Sequence, residues 1–124
     1  MITIDQIQSF CLRKELVSEA FPFDNSTLVF KVLGKVFVVC PLEAWESGSP
    51  SITLKCEPIY ALELRNSYDS IRPGFHSNKK HWNTVYLSNA GFSRQFIFEL
   101  IDHSYSMVVQ NMPKKLKIQF KNHN

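Results

Sequence analysis

The sequence predicts a single α+β domain, residues 1–124, with an antiparallel sheet and helices packed on one face. Strand-like patterns are grouped between two helical patterns, without the strand–helix–strand alternation that a parallel sheet requires. The 124 residues are 44% hydrophobic and 13% aromatic, which is enough apolar surface for one core. We expect the other face of the sheet to be left to solvent or to a partner.

The first element is predicted to be an amphipathic helix over residues 4–14. Thr3 followed by Gln6 matches a capping box. The apolar residues behind it recur at helical spacing, namely Ile4, Ile7, Phe10 and Cys11. This apolar stripe should cover the sheet.

Two patterns predict strands in the first half of the chain. The run "TLVFKVLGKVFVV" offers two β-rich segments around Gly34, which is typical of a hairpin. The run "SITLKCEP" alternates, and this pattern predicts a half-buried strand. Its residues Ile52, Leu54 and Cys56 point one way, and Thr53, Lys55 and Glu57 point the other. The segment "ESGSPS" before it is expected to be a long hairpin-type loop.

The second half is predicted to contain two helices and a strand. Pro58 is suited to the first turn of a helix that continues to about Ser67, supported by Ile59, Leu62 and Leu64. Residues 81–87 follow as a strand. Ser93 is a good N-cap for a long helix over 93–112, ended by Pro113. Its apolar stripe is Phe96, Ile97, Leu100, Ile101, Tyr105, Val108, Val109 and Met112. The tail "KKLKIQFKNHN" is compatible with a short strand or a frayed end.

Basic charge is concentrated in the second half of the chain. The net charge is +3, but residues 1–70 hold six basic and nine acidic side chains, a net of −3, whereas residues 71–124 hold eight basic and two acidic ones, a net of +6. A one-sided basic field attracts polyanions, with solubility as the alternative explanation.

The compartment is expected to be the cytoplasm. Cys11, Cys40 and Cys56 are odd in number and lack CxxC spacing, which argues against a disulfide framework and a zinc ribbon and predicts reduced thiols. No apolar run is long enough to span a bilayer, and "MITIDQIQ" has neither the basic flank nor the apolar region of a signal peptide. We expect a monomer without membrane attachment.

The stretch "RPGFHSNKKHWNTVYL", residues 72–87, is the candidate binding site. Arg72, Lys79 and Lys80 have no acidic neighbour in the sequence between Asp69 and Glu99. Basic side chains interleaved with His76, His81 and Trp82 are typical of sequence-tolerant nucleic-acid contact, to which Lys55 could add from the adjoining sheet. The alternative is purely structural: Pro73-Gly74 forms a turn, Asn78 satisfies backbone groups, and Trp82 packs at the edge of the core.

Catalysis and metal binding are not predicted. His76 and His81 with Cys56 and Asp69 resemble a Cys-His or His-metal set only in composition, and the sequence contains no GxSxG, HExxH, P-loop or GxGxxG motif. Cys56 alternates in phase with Ile52, as a buried, inert thiol would. We therefore assign no catalytic residue, no metal ligand and no cofactor.

Four segments carry a resemblance to a known family. "FPFDNSTLVFKVLGKVFVV", "SITLKCEP", "IRPGFHSNKKHWNTVYL" and "LIDHSYSMVV" resemble the MmcQ/YjbR family, in its order and spacing, from about Phe21 to Lys115. The resemblance implies a frataxin-like or "double wing" α+β fold. Members are usually described as DNA-binding because the fold is similar to a phage transcription factor domain, which is an analogy at the level of the fold. A frataxin-like iron site would need grouped carboxylates, and the first helix offers only Asp5 and Glu15 at its two ends.

The resulting functional prediction is a small non-enzymatic protein that contacts DNA or RNA weakly through its basic loop. The alternative is a protein-interaction module that uses the open sheet face with Lys31, Thr53 and Lys55, or the polar side of the last helix. Salt distinguishes the two, because phosphate contacts weaken steeply with ionic strength and an apolar protein interface does not.

Overall fold

Six antiparallel strands form one sheet, and the predicted α+β class is confirmed. The computed structural model describes residues 1–74 and 77–120. The elements follow the chain as α1 (Ile4–Leu12), β1 (Val17–Ala20), β2 (Thr27–Val32), β3 (Lys35–Pro41), α2 (Leu42–Glu46), β4 (Ser51–Lys55), α3 (Pro58–Ser67), β5 (Ile71–Pro73), β6 (Trp82–Tyr86), α4 (Arg94–Gln110) and α5 (Lys114–Lys117). The strands lie in the order β1-β2-β3-β4-β6-β5, and all neighbours are antiparallel. None of the described helices has the length and hydropathy of a membrane span.

The core lies between one sheet face and the helices α1, α3 and α4. The sheet side of this core includes Leu28, Phe30, Ile52, Leu54 and Val85, all buried. The helix side includes Ile7 and Cys11 of α1, Ala61 and Leu64 of α3, and Ile97, Leu100, Ile101 and Val108 of α4. The capping box of Thr3 and Gln6 is present, and Ser93 caps α4 by accepting a hydrogen bond from the Phe96 backbone N–H.

The predicted hairpin around Gly34 forms between β2 and β3. Leu33 and Gly34 have φ angles of 48° and 80°, as a two-residue type I′ turn requires. Further along, the register shifts so that Phe30 faces Val38 while Lys31 faces Val36. This bulge leaves Phe37 as an extra residue in β3.

The buried Ser104 of α4 joins the helix to the sheet at this bulge. Its hydroxyl accepts a hydrogen bond from the Lys55 backbone N–H at 2.9 Å and donates one to the Phe37 carbonyl at 2.6 Å. The Lys55 N–H at the end of β4 and the Phe37 carbonyl at the bulge of β3 are thereby satisfied inside the core. The predicted apolar stripe of α4 did not include this polar residue.

Several local predictions were wrong in detail. β4 is not half-buried, because Ser51 and Thr53 are also buried, each at 6% exposure; β4 lies between β3 and β6, and the Thr53 and Thr84 hydroxyls bond to each other at 2.8 Å. Phe96 is only partly buried, packed against Tyr68 and Phe92. The tail, predicted as a short strand or a frayed end, begins with α5. The helix α2 was not predicted, and it ends at Glu46, where the predicted loop begins.

Candidate functional site

The sheet face that points away from α1, α3 and α4 is called the outer face here. Strand register and alternation place on it Ser18, Ala20, Thr27, Val29, Lys31, Val36, Val39, Pro41, Ser51, Thr53, Lys55, Arg72, Trp82, Thr84 and Tyr86. Glu19, the acidic residue among the described strand residues, faces the helices and accepts a hydrogen bond from Gln8. The described strands therefore give the outer face Lys31, Lys55 and Arg72 without an acidic side chain.

Three residues of the predicted site meet on the outer face. Lys55 of β4 lies directly opposite Trp82 of β6, and Arg72 of β5 lies opposite Thr84, two residues further along β6. Opposite residues of antiparallel strands have Cα atoms about 4.5–5.5 Å apart. Arg72 is exposed, and Lys55 and Trp82 are partly exposed. The structural alternative placed the ring of Trp82 at the edge of the core. The strand register instead places Trp82 at the start of β6 on the outer face.

Lys79 and Lys80 lie in the loop that joins β5 to β6, and both are exposed. The backbone around them is fixed by Asn78. Its side-chain Oδ1 accepts a hydrogen bond from the Lys80 N–H at 2.9 Å, and its carbonyl accepts from the N–H groups of His81 and Trp82. The structural role predicted for Asn78 is therefore correct, and it presents the two lysines beside Trp82.

His81 and Gly74 hold the two ends of this loop. The His81 carbonyl accepts a hydrogen bond from the Cys56 N–H at 2.8 Å, which joins the loop to the end of β4. The Gly74 N–H donates to the Trp82 carbonyl, and a Cβ on Gly74 would lie only 2.8 Å from the Trp82 Cβ. The His81 side chain is partly exposed. His76, the remaining predicted site residue, lies outside the described residues.

Sequence reasoning missed Arg65 of α3, which holds the loop from the helix side. Its Nε donates to the Asn83 Oδ1 at 2.6 Å, and its Nη2 donates to the carbonyls of Lys79 and Trp82. Asn83 is buried and donates in turn to the Ala61 carbonyl. The acceptors lie 14 to 18 residues away along the chain, so no local sequence pattern indicated this role.

Cys11, Cys40 and Cys56 are all buried and free, and burial of Cys56 agrees with the prediction from its strand alternation. Burial raises the pKa of Cys11 to about 12 and that of Cys56 to about 11, and it raises the pKa of Cys40 further. Thiols in this state are poor nucleophiles.

Within residues 1–74 and 77–120, no group of three His, Cys, Asp or Glu side chains is placed to hold a metal ion.

Comparison with known proteins gives the family. The YjbR family model matches residues 12–107. The chain is 36% identical to YbdF of Escherichia coli O157:H7 over 104 residues, covering 84% of this chain and 82% of YbdF. It is 32% identical to YjbR of Escherichia coli K12 over 122 residues, covering 95% of this chain and 99% of YjbR.

Solved structures agree with this placement. The crystal structure of the Deinococcus radiodurans protein DR2400, with a DUF419 domain, superposes with a TM-score of 0.85 at 32% identity, covering 100% of this chain and 96% of DR2400. A Pseudomonas syringae protein superposes with a TM-score of 0.70 at 25% identity, covering 86% of this chain and 98% of that protein. None of these four names carries an activity or a ligand. The family model and the two relatives together show that the chain belongs to the YjbR family.

Proposed function

We propose that this protein is a non-enzymatic, sequence-tolerant nucleic-acid-binding protein. Its contact surface consists of Lys55, Arg72 and Trp82 on the outer face together with the adjacent loop residues Lys79, Lys80 and His81. The observation that carries this proposal is the Lys55–Trp82 pair beside Arg72 on a sheet face whose described strand residues include no acid.

The chemistry of the surface fits phosphate contact. Lysine and arginine side chains pair with phosphates without reading the base sequence, and an exposed indole face stacks on any base. Lys79 and Lys80 are exposed, whereas discrimination between bases needs bidentate donors held in place. The surface therefore supports weak binding with little sequence preference. The buried cysteines with raised pKa values support the absence of thiol catalysis.

A binding titration with a charge-matched control tests the proposal. Labelled DNA and RNA are titrated at low salt with the wild type, with the double variant Lys79→Ala/Lys80→Ala, and with Arg13→Ala/Arg94→Ala. Arg13 and Arg94 are exposed on the helix layer, away from the outer face. Both double variants lose two positive charges, so a difference between them reports position rather than net charge.

We expect Lys79→Ala/Lys80→Ala to bind every sequence more weakly than the wild type does. We expect Arg13→Ala/Arg94→Ala to bind like the wild type. Each phosphate contact contributes a slope of about −0.9 to the logarithm of affinity against the logarithm of salt on duplex DNA, so Lys79→Ala/Lys80→Ala should flatten the slope by about two. Absence of binding up to roughly 10⁻⁴ M, the weak end of non-specific affinity, would contradict the proposal. The outer face would then be a candidate protein-interaction surface, with an affinity insensitive to salt.

A further inference from the structure

A second aromatic side chain shares the outer face with Trp82. Tyr86 lies four residues further along β6, on the same side of the strand, and is 39% exposed. At about 3.4 Å per residue, the two Cα atoms are about 13 Å apart along the strand. This distance corresponds to about four stacked nucleotides of one strand.

The side chains between the two rings are short and polar. Thr84 lies between Trp82 and Tyr86 on β6, and its hydroxyl is hydrogen-bonded to that of Thr53 on β4. Both threonines are buried, whereas Trp82 is partly exposed and Tyr86 is exposed. The outer face thus carries two accessible aromatic side chains with a buried pair of threonines between them.

Charged groups border both ends of this surface. Lys55 lies opposite Trp82, and Lys79 and Lys80 lie in the adjoining loop. Near Tyr86, a shallow depression is lined by Asp69, Ser70, Arg72 and Tyr86. The Arg72 guanidinium is oriented there by donating to the Asp69 carbonyl at 3.2 Å. Phosphates are therefore expected at the Trp82 end, beside Lys55, Lys79 and Lys80, whereas at the Tyr86 end Arg72 lies together with the acidic Asp69.

This arrangement selects unpaired bases. The major groove of a duplex admits a helix or a two-stranded ribbon, so a six-stranded sheet cannot insert its face there. Rings on a sheet face stack on bases that are splayed out of a helix, as in single strands. Building on the proposed function, we infer that the ligand is single-stranded nucleic acid, with bases stacked on Trp82 and Tyr86 across the outer face.

The test compares two single strands that have the same phosphates, one with bases and one without, and a duplex in which the bases are paired. A labelled oligothymidylate of about twelve nucleotides, a length within the range that one small binding domain occupies, is compared with an abasic strand of equal length and with its own duplex. The wild type should bind the oligothymidylate roughly tenfold more tightly than either. Tyr86→Leu should remove much of that preference and leave abasic binding unchanged, while Tyr86→Phe, which keeps the ring, should retain it.

The outcomes separate this inference from the proposed function. Equal affinity for oligothymidylate and abasic strand, or tighter binding of the duplex, overturns the stacking assignment and leaves nucleic-acid contact standing. An unchanged preference in Tyr86→Leu overturns the role of Tyr86. If none of the three ligands binds, both the inference and the proposed function are wrong.

Discussion

Single side chains that hold backbone groups determine the shape of the basic loop. Asn78 could be predicted, because an asparagine two residues before the N–H it binds forms a local motif that is visible in sequence. Arg65 could not, since it reaches Lys79, Trp82 and Asn83 only after α3 has packed beside β6. Long-range polar contacts of this kind depend on tertiary structure and leave no periodic signal.

Replacing Arg65 with Met should destabilise the protein by about 1–3 kcal/mol. Methionine keeps an apolar stem but removes the Arg65 donor from the buried Asn83 Oδ1, while the Trp82 carbonyl loses one of two donors and keeps the Gly74 N–H. Urea unfolding measures the effect, with the exposed Arg94→Met as the matched control, expected within about 0.5 kcal/mol of the wild type. Equal stability of the two variants would show that Arg65 does not hold the loop.

The three thiols should resist alkylation in the folded protein. Burial removes Cys11, Cys40 and Cys56 from reagent and raises their pKa values, so little thiolate exists at neutral pH. Mass spectrometry after brief treatment with iodoacetamide at pH 7 should show an unmodified chain, and the same treatment in urea should modify three sites. Rapid, selective modification of Cys56 in the folded protein would contradict this account.

At the scale of elements, long periodic patterns were predictable and short segments were not. The helices from Ile4, Pro58 and Arg94 and the strands β2, β3, β4 and β6 follow patterns of periodicity and capping. β1 and β5 have four and three residues, too few for alternation to show. α3 forms as predicted, yet Ile59 and Leu62 are 69% and 55% exposed, and Ala61 and Leu64 face the core instead.

Leu100→Ala should cost roughly 2–5 kcal/mol of unfolding free energy. Leu100 is 4% exposed in the middle of α4, so truncation removes buried apolar surface and leaves a cavity. Ser106→Ala, at an exposed position of the same helix, is the control and should change stability by less than about 0.5 kcal/mol. A cost for Leu100→Ala as small as that of the control would contradict the packing of α4 on the sheet.

Over the whole molecule, several basic residues gather at one end of the sheet, where Glu15 and Glu57 also lie. One end carries the β2–β3 turn, the end of β4 and the loop before β6, with Lys35, Lys55, Lys79 and Lys80. The other end carries acidic residues of loops and α2, namely Asp24, Glu43, Glu46 and Asp69.

The helix α4 points toward the basic end of the sheet. α4 runs from Phe96, beside Tyr68, toward Ser104, which bonds to Lys55 at the end of β4. The helix therefore points to the basic end, and α5 with Lys114, Lys115 and Lys117 comes next along the chain. The excess of basic residues from Ile71 onward can be read from the sequence. The position of Lys35 and Lys55 at the same end of the sheet cannot, because it depends on the strand order of the folded protein.

Nuclear magnetic resonance mapping of a bound oligonucleotide tests the central claim most directly. A ¹⁵N-labelled sample of this 124-residue chain is titrated with single-stranded DNA at low salt, and amide shift changes are assigned along the chain. The account predicts changes concentrated at Lys55, Arg72 and residues 79–82, reversed by added salt. Changes confined to α1 and α4, or no change at millimolar oligonucleotide, would contradict nucleic-acid contact through the outer face.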